Sequence, residues 1–520
     1  MRHRELNTAS IWRTVTLRGA SAIRRVGISN SATATVALVG AITVMLVATG
    51  WAIVHGRIGT LVACAAVVGM CRLAATQRGA FVGILVLAAM NGIPTINTAR
   101  YVSGHFTAQD LVICTLLVVG AAWALLDTTP YRLSRAGRIA TGAAGLLLLW
   151  CLFTLARTIV IDHVPTVSAL AFARDYVYFA LLLLVLPRVR LTGHDIAILL
   201  ITLTVGVSFF AVVQIAIALG FGNPGTLIHV GHILHQDGLT RVYSQMTDLV
   251  TAGLAISLAA SLAAPQRVVR NAALPVALLL TTSVVVQLTR ARWIGLIAAF
   301  VIVSAWLMLY SDNVAISAAL RKRMVVIAVA VCVIAGAVLL ALPGIFSDGP
   351  FIERLTSIFS DIESRGGTVA VREEVTKTMK SYLGGRWLEG LGFISPSVHY
   401  FQGLPSGSIE DPDLGVLNAI MPMGAVGAAL IYLSPVLILL QCLRRASGPS
   451  DYAWLRYGGA MWLVATLVSS ITLVTLFSTS GLTLAAVLLT ILMHPLVVGK
   501  RAPTDARQTV RAFSLPAARG

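Results

Sequence analysis

Runs of about twenty apolar residues recur along the chain from Ala32 onward, separated by short polar or basic stretches. Each run is long enough to cross a bilayer as a helix. The pattern predicts spans at 33–54, 59–75, 79–97, 109–126, 139–160, 167–187, 195–219, 247–264, 272–289, 293–311, 324–343, 414–440, 457–476 and 480–498. The expected fold class is all-α: a polytopic transmembrane helix bundle of about fourteen spans, within a range of about 12–14. The expected layout is a basic N-terminal tail (1–32), eleven spans (33–343), a loop (344–413), three more spans (414–498) and a basic C-terminal tail (499–520).

The loop is the only long polar segment. Within it Val371, Val375, Met379 and Leu383 recur every four residues, which predicts an amphipathic helix over about 369–383 with one apolar stripe. Gly384-Gly385 stops it. "LEGLGFISP" follows as a glycine-rich turn, where Gly390 and Gly392 free the backbone to approach a ligand. "EDPDLGVLNAIMPMGAVG" then re-enters the membrane, with Asp411 and Asp413 at the boundary.

Composition agrees with the pattern. Of 520 residues 57% are hydrophobic and 12% charged, and mean hydropathy is +0.86. A soluble protein of this length needs a more polar surface. Residues 1–30 have no apolar core of their own and do not read as a cleavable signal. They read as a cytoplasmic tail, with Arg13, Arg18, Arg24 and Arg25 near anionic headgroups. The six cysteines lie in or at the ends of apolar segments and form neither a disulfide framework nor a zinc spacing.

Charge then orients the bundle. With the N-terminus inside, the inner connections hold Arg72 and Arg78, Arg132, Arg135 and Arg138, Arg188 and Arg190, Arg267 and Arg270, Arg321–Arg323, and Arg444, Arg445 and Arg456. That is the positive-inside distribution, with both termini cytoplasmic. The net charge of +18 is mostly topology, supplemented by attraction to membrane lipid headgroups, and calls for no nucleic acid.

The exceptions carry the candidate chemistry. Arg157, Arg174, Arg241, Arg290 and Arg292 lie in spans or on the outer side, and the outer loop adds Arg354, Arg365, Arg372, Lys377, Lys380 and Arg386. Positive charge is disfavoured there unless something else holds it. Arg174 and Asp175 sit inside the sixth predicted span, and neighbouring helical positions point apart, so the two are not expected to neutralise each other. "HVGHILH" places His229, His232 and His235 at a spacing that fans around a helix and does not make a metal pair.

Three stretches resemble one family, the O-antigen ligase and O-antigen polymerase superfamily of bacterial membrane glycosyltransferases. "LTRARWIGL" is similar to its short motif of an arginine, two residues and an aromatic or leucine opening a span, here Arg290 and Trp293. The outer loop is similar to its segment in which a helix arginine precedes a glycine-rich turn, here Arg372 and then Gly390-Leu391-Gly392-Phe393. "DLGVLNAIMPMGAVGAALIYL" is similar to its re-entering helix with Gly-x-x-Gly, here Gly424 and Gly427. A weaker match is Arg241 in "TRVYSQMTDLV". Ligases of the family carry a histidine eleven residues before the first of those glycines; here Asp413 stands there, as in some polymerase-like members, and the nearest histidine is His399.

The resemblance implies transfer of a glycan from a polyprenyl-pyrophosphate carrier to a saccharide acceptor on the outer face of the bacterial cytoplasmic membrane. It implies no cofactor and no metal. Negative charge develops on the leaving pyrophosphate, and guanidinium groups match phosphate oxygens. Arg290, Arg372, Arg241, Arg292 and Arg174 are the candidate pyrophosphate ligands. Asp413, His399 and Asp411 are the candidate catalytic bases toward the acceptor hydroxyl. Two competing readings are a transporter or flippase of lipid-linked glycans, which predicts an internal repeat of broken helices, and a cell-wall polymerase with fewer spans.

Overall fold

The computed structural model describes residues 69–92, 101–103, 106–127, 133–218, 221, 232–236, 239–243, 246–287, 289–310, 367–395, 398–402, 404, 408, 415–444, 452–471, 473 and 478–498. The predicted spans at 33–54 and 324–343 and both basic tails lie outside these residues. The chain divides into two compact units, Met1–Gln77 and Arg78–Gly520. In the first, residues 69–76 are helical. Everything below concerns the second.

Its described helices are α1 (Arg78–Ala89), α2 (Ala108–Leu126), α3 (Arg135–Val160), α4 (Thr166–Val185), α5 (Gly193–Ala218), α6 (Thr247–Ala263), α7 (Arg267–Val286), α8 (Arg290–Tyr310), α9 (Gly367–Leu383), α10 (Leu417–Leu443), α11 (Ala453–Ser469), α12 (Thr479–Met493) and the short α13 (Pro495–Val498). Six, namely α2, α3, α4 extended through Arg188, α5, α7 and α10, are long and apolar enough to cross a membrane. The membrane character follows from packing as well as length. On α3, Leu146, Leu149, Phe153 and Val160 are exposed at helical spacing, as are Ile201, Val205 and Val212 on α5. Bare apolar stripes at that period face lipid.

Local sequence sets the helix ends. Thr107 caps α2 in a reciprocal box with Asp110. Ser134 accepts from Gly137 N at the start of α3, and Ser478 accepts from Gly481 N at the start of α12. Gly384 ends α9 in the left-handed region, at φ +49°. Small residues set the spacing: a Cβ at Gly79 would strike the Asp195 carbonyl of α5, and one at Gly83 would crowd Thr202. The principal contacts pair α3 with α10 and α4, α6 with α7 and α11, α8 with α11, α1 with α5, and α12 with α4.

Two small hairpins interrupt the helices. Strands β1 (Tyr101–Ser103) and β2 (Phe106–Thr107) pair, as do β3 (His232–Gln236) and β4 (Leu239–Tyr243). The second hairpin holds part of the histidine cluster: His232 and His235 sit on β3. The physical reason stands in the sequence, where Asp237-Gly238 separates the strands and Asp-Gly is a strong hairpin signal. His229 lies outside the described residues.

Candidate functional site

The local chemistry of α10 gives the site its frame. Its first turns contain Pro422 and then Gly424 at φ 68°, ψ −177°, a conformation in which the helix is broken. Such a break frees backbone groups that hydrocarbon cannot satisfy. The polar loop satisfies them. Leu391 N donates to Met421 O at 2.7 Å and Gly392 N to Pro422 O at 3.0 Å. In return Ala425 N donates to Trp387 O at 2.8 Å and Val426 N to Leu388 O at 3.4 Å. Trp150 Nε1 on α3 donates to Met423 O at 2.9 Å. The glycine-rich turn is thus laced into the broken helix. The approach is close enough that a Cβ on Gly390 would strike Gly424 N, and one on Gly424 would strike the Leu388 carbonyl. Both glycines have positive φ.

Arg157, near the end of α3, holds the other side of this turn. It donates to Gly390 O at 2.8 Å and Glu389 O at 3.3 Å, and pairs with the Glu389 carboxylate at 3.2 Å. Asp162 lies 4.0 Å from Arg157 Nε and 3.6 Å from Arg386. Phe393 N donates to Thr158 Oγ1 at 3.0 Å, and the Phe393 ring is fully buried against Tyr176 of α4. Helix α9 rests on the turn through Val375, Met379 and Leu383, which pack with Leu391, Phe401, Leu404 and Met421. Three of the four residues of the predicted stripe are therefore core; Val371's side chain is outside the described set.

Two further ion-pair clusters occupy the same end of the bundle. Arg174 pairs with Asp110 of α2 at 3.0 Å and with Asp175 at 3.6 Å. The second contact corrects the expectation that these neighbours do not meet. The long arginine side chain folds back along its own helix, held there by Asp110. Asp175 hydrogen-bonds Thr479, the first residue of α12. Arg292 pairs with Asp248 at 3.0 Å. Asp248, Arg292, Thr251, Thr466, Ser469 and Gly481 line one pocket.

The predicted residues fall into three sets. Arg174 and Arg292 are committed to carboxylate partners, and Arg372 is half-buried on α9. His399 is exposed and stands edge-on to Phe401, ring centroids 4.6 Å apart. Asp411 and Asp413 lie outside the described residues, and of Arg290 and Arg241 only the backbone is described, at the start of α8 and on β4. Arg157 is the functional candidate that sequence reasoning passed over. Its signal was its place among the arginines on the disfavoured side. Among the described residues no group of three or more His, Cys, Asp or Glu is placed to hold a metal. No family model and no curated protein matches the chain.

Proposed function

We propose that the protein is a membrane glycosyltransferase of the O-antigen polymerase and ligase kind. In this reading it moves a glycan from a polyprenyl-pyrophosphate carrier to a saccharide acceptor at the outer face of the bacterial cytoplasmic membrane. The bundle has about fourteen spans, both termini cytoplasmic and the α9 loop outside. One observation carries the reading. Two of the stretches that bear the resemblance, Gly390–Phe393 and Gly424–Gly427, are 30 residues apart in sequence and in backbone contact in space. Beside them stands Arg157, mostly buried; Arg174 and Arg292, also mostly buried, are held in ion pairs of their own, and intramembrane charge marks function. In the mechanism, Arg290 and Arg372 take the pyrophosphate oxygens bidentately as the glycosidic bond breaks. Asp413, Asp411 or His399 accepts the proton of the attacking hydroxyl.

The transporter reading draws on the broken helix α10. Transporters leave half-helix ends facing the solute, whereas the loop and Trp150 occupy the freed groups from Met421 to Val426. The two readings part on one experiment. Arg290→Ala in the native host, at unchanged protein level, leaves lipid-linked glycan on the outer leaflet if transfer is blocked. Accumulation on the inner leaflet makes the protein a transporter.

A further inference from the structure

Trp387 and Leu388 are an anomaly in a polar loop. Leu388 is 69% exposed and Trp387 36%, yet their carbonyls are bonded to Ala425 N and Val426 N inside an apolar helix. On α10, Ala425 and Ala429 are exposed, and Leu433, Val436 and Leu440 continue the same stripe. That stripe repeats every three to four residues and is the lipid face of a span. The loop tip is hydrogen-bonded at its upper end. On α3, exposed Val160 ends a second lipid-facing stripe.

The depth can be judged from lengths. Beyond the break at Gly424, α10 runs unbroken from Ala425 to Leu443, or roughly 28 Å, against a hydrocarbon core of about 30 Å. Arg444 follows directly at its other end and fixes that boundary. The turns before the break then stand among headgroups, and Ala425, the first residue after it, falls at the top of the acyl layer. The side chains flanking the tip suit this level. Arg386 and Glu389 are half-exposed, and a tryptophan beside a leucine is the composition of the interfacial belt.

We infer that the Trp387–Leu388 tip is a membrane anchor that packs on the bilayer's acyl chains at the headgroup boundary, extending the lipid face of α10. The anchor fixes the depth of the Gly390–Phe393 turn and of Arg157 relative to the membrane. It depends on the protein being a membrane protein and not on any reaction it performs.

The test places the photo-crosslinking residue p-benzoylphenylalanine at position 388, and separately at position 377, whose lysine is 74% exposed on α9. Both full-length proteins are irradiated in nanodiscs of phosphatidylethanolamine and phosphatidylglycerol. The anchor predicts a mass shift of one phospholipid at 388 and none at 377. Adducts at 388 to another segment of the chain or to a second copy, or an absence of lipid adduct, overturn it. If the 388 variant does not accumulate, the emission lost in Trp387→Phe decides. Quenching of that component by lipids brominated high on the acyl chain upholds the anchor, and quenching by aqueous iodide alone refutes it.

Discussion

At the end of the bundle where α10 finishes, polar side chains serve the backbone. Arg456 is buried and donates to the carbonyls of Gln441, Cys442 and Arg444, the last turn of α10. Gln441 donates to Leu492 O at 3.1 Å and meets Ser134, and His494 bonds Leu191 O at 2.9 Å. Arg78 grips Asp127 with two nitrogens and lies over the Trp123 ring. At the end where α10 begins, ion pairs cluster on Arg157, Arg174, Arg292 and Arg386, and capacity is left over. Asp110 Oδ1, Arg157 Nε, Asp162 Oδ2, Gln287 Oε1 and Arg292 Nη1 are buried without a hydrogen-bond partner among the described residues. Ser208 Oγ, midway along α5, shares that condition. Buried polar atoms with unspent capacity are costly. Their concentration where α10 begins sets that end apart from the other, where the buried side chains spend their hydrogen bonds on backbone carbonyls.

Substitutions can break or sharpen this contrast. The largest effect is expected from Gly424→Ala. The conformation at that position is essentially restricted to glycine, and the new methyl strikes Leu388 O. A loss of about 3 kcal/mol or more should appear as a lowered thermal midpoint together with protease cleavage in 386–394. Gly142→Ala in α3, where a Cβ meets nothing, should instead be neutral or stabilising by up to about 1 kcal/mol.

Next comes the pair of arginines. Arg157→Ala should cost about 2–3 kcal/mol, since the Glu389 carboxylate and two carbonyls lose their partner. Its signature is hydrogen exchange rising in the loop turn while the far end of the bundle stays protected. Arg456→Ala should cost about 2 kcal/mol with the reverse pattern, fraying α10 near Leu443 and leaving the turn unchanged. Matching exchange profiles for the two variants would dissolve the contrast.

A double-mutant cycle on Asp248→Asn and Arg292→Gln should give a coupling of about 1–2 kcal/mol, with each single change costing more than its half of the pair. The smallest effect belongs to Lys377→Ala. Its pairing with Glu373 is solvent-exposed, and the thermal midpoint should register less than about 0.5 kcal/mol.

The sequence made the frame legible where physics is local. Spans at 109–126, 139–160, 167–187 and 195–219 lie within a few residues of α2 to α5, because long apolar runs leave one way to satisfy a backbone in lipid. The stripe of α9 and its Gly384 stop were equally readable. The pairings were not. Asp110 and Arg174 are 64 residues apart and Arg157 and Gly390 are 233 apart, and no period or spacing encodes which charge a distant helix presents. Glycine at 390, 392 and 424 signalled close backbone approach; that the approach is to one another required the fold.

The most direct test of the glycosyltransferase account is a transfer assay on the purified protein reconstituted in liposomes. Polyprenyl-pyrophosphate-linked glycan is placed in the leaflet facing the α9 loop, and a saccharide acceptor is added. The account predicts acceptor extended in mass and free polyprenyl pyrophosphate in equal amount, with both lost in Arg290→Ala. Donor that crosses the bilayer with its glycan still attached, and no extended acceptor, would contradict it.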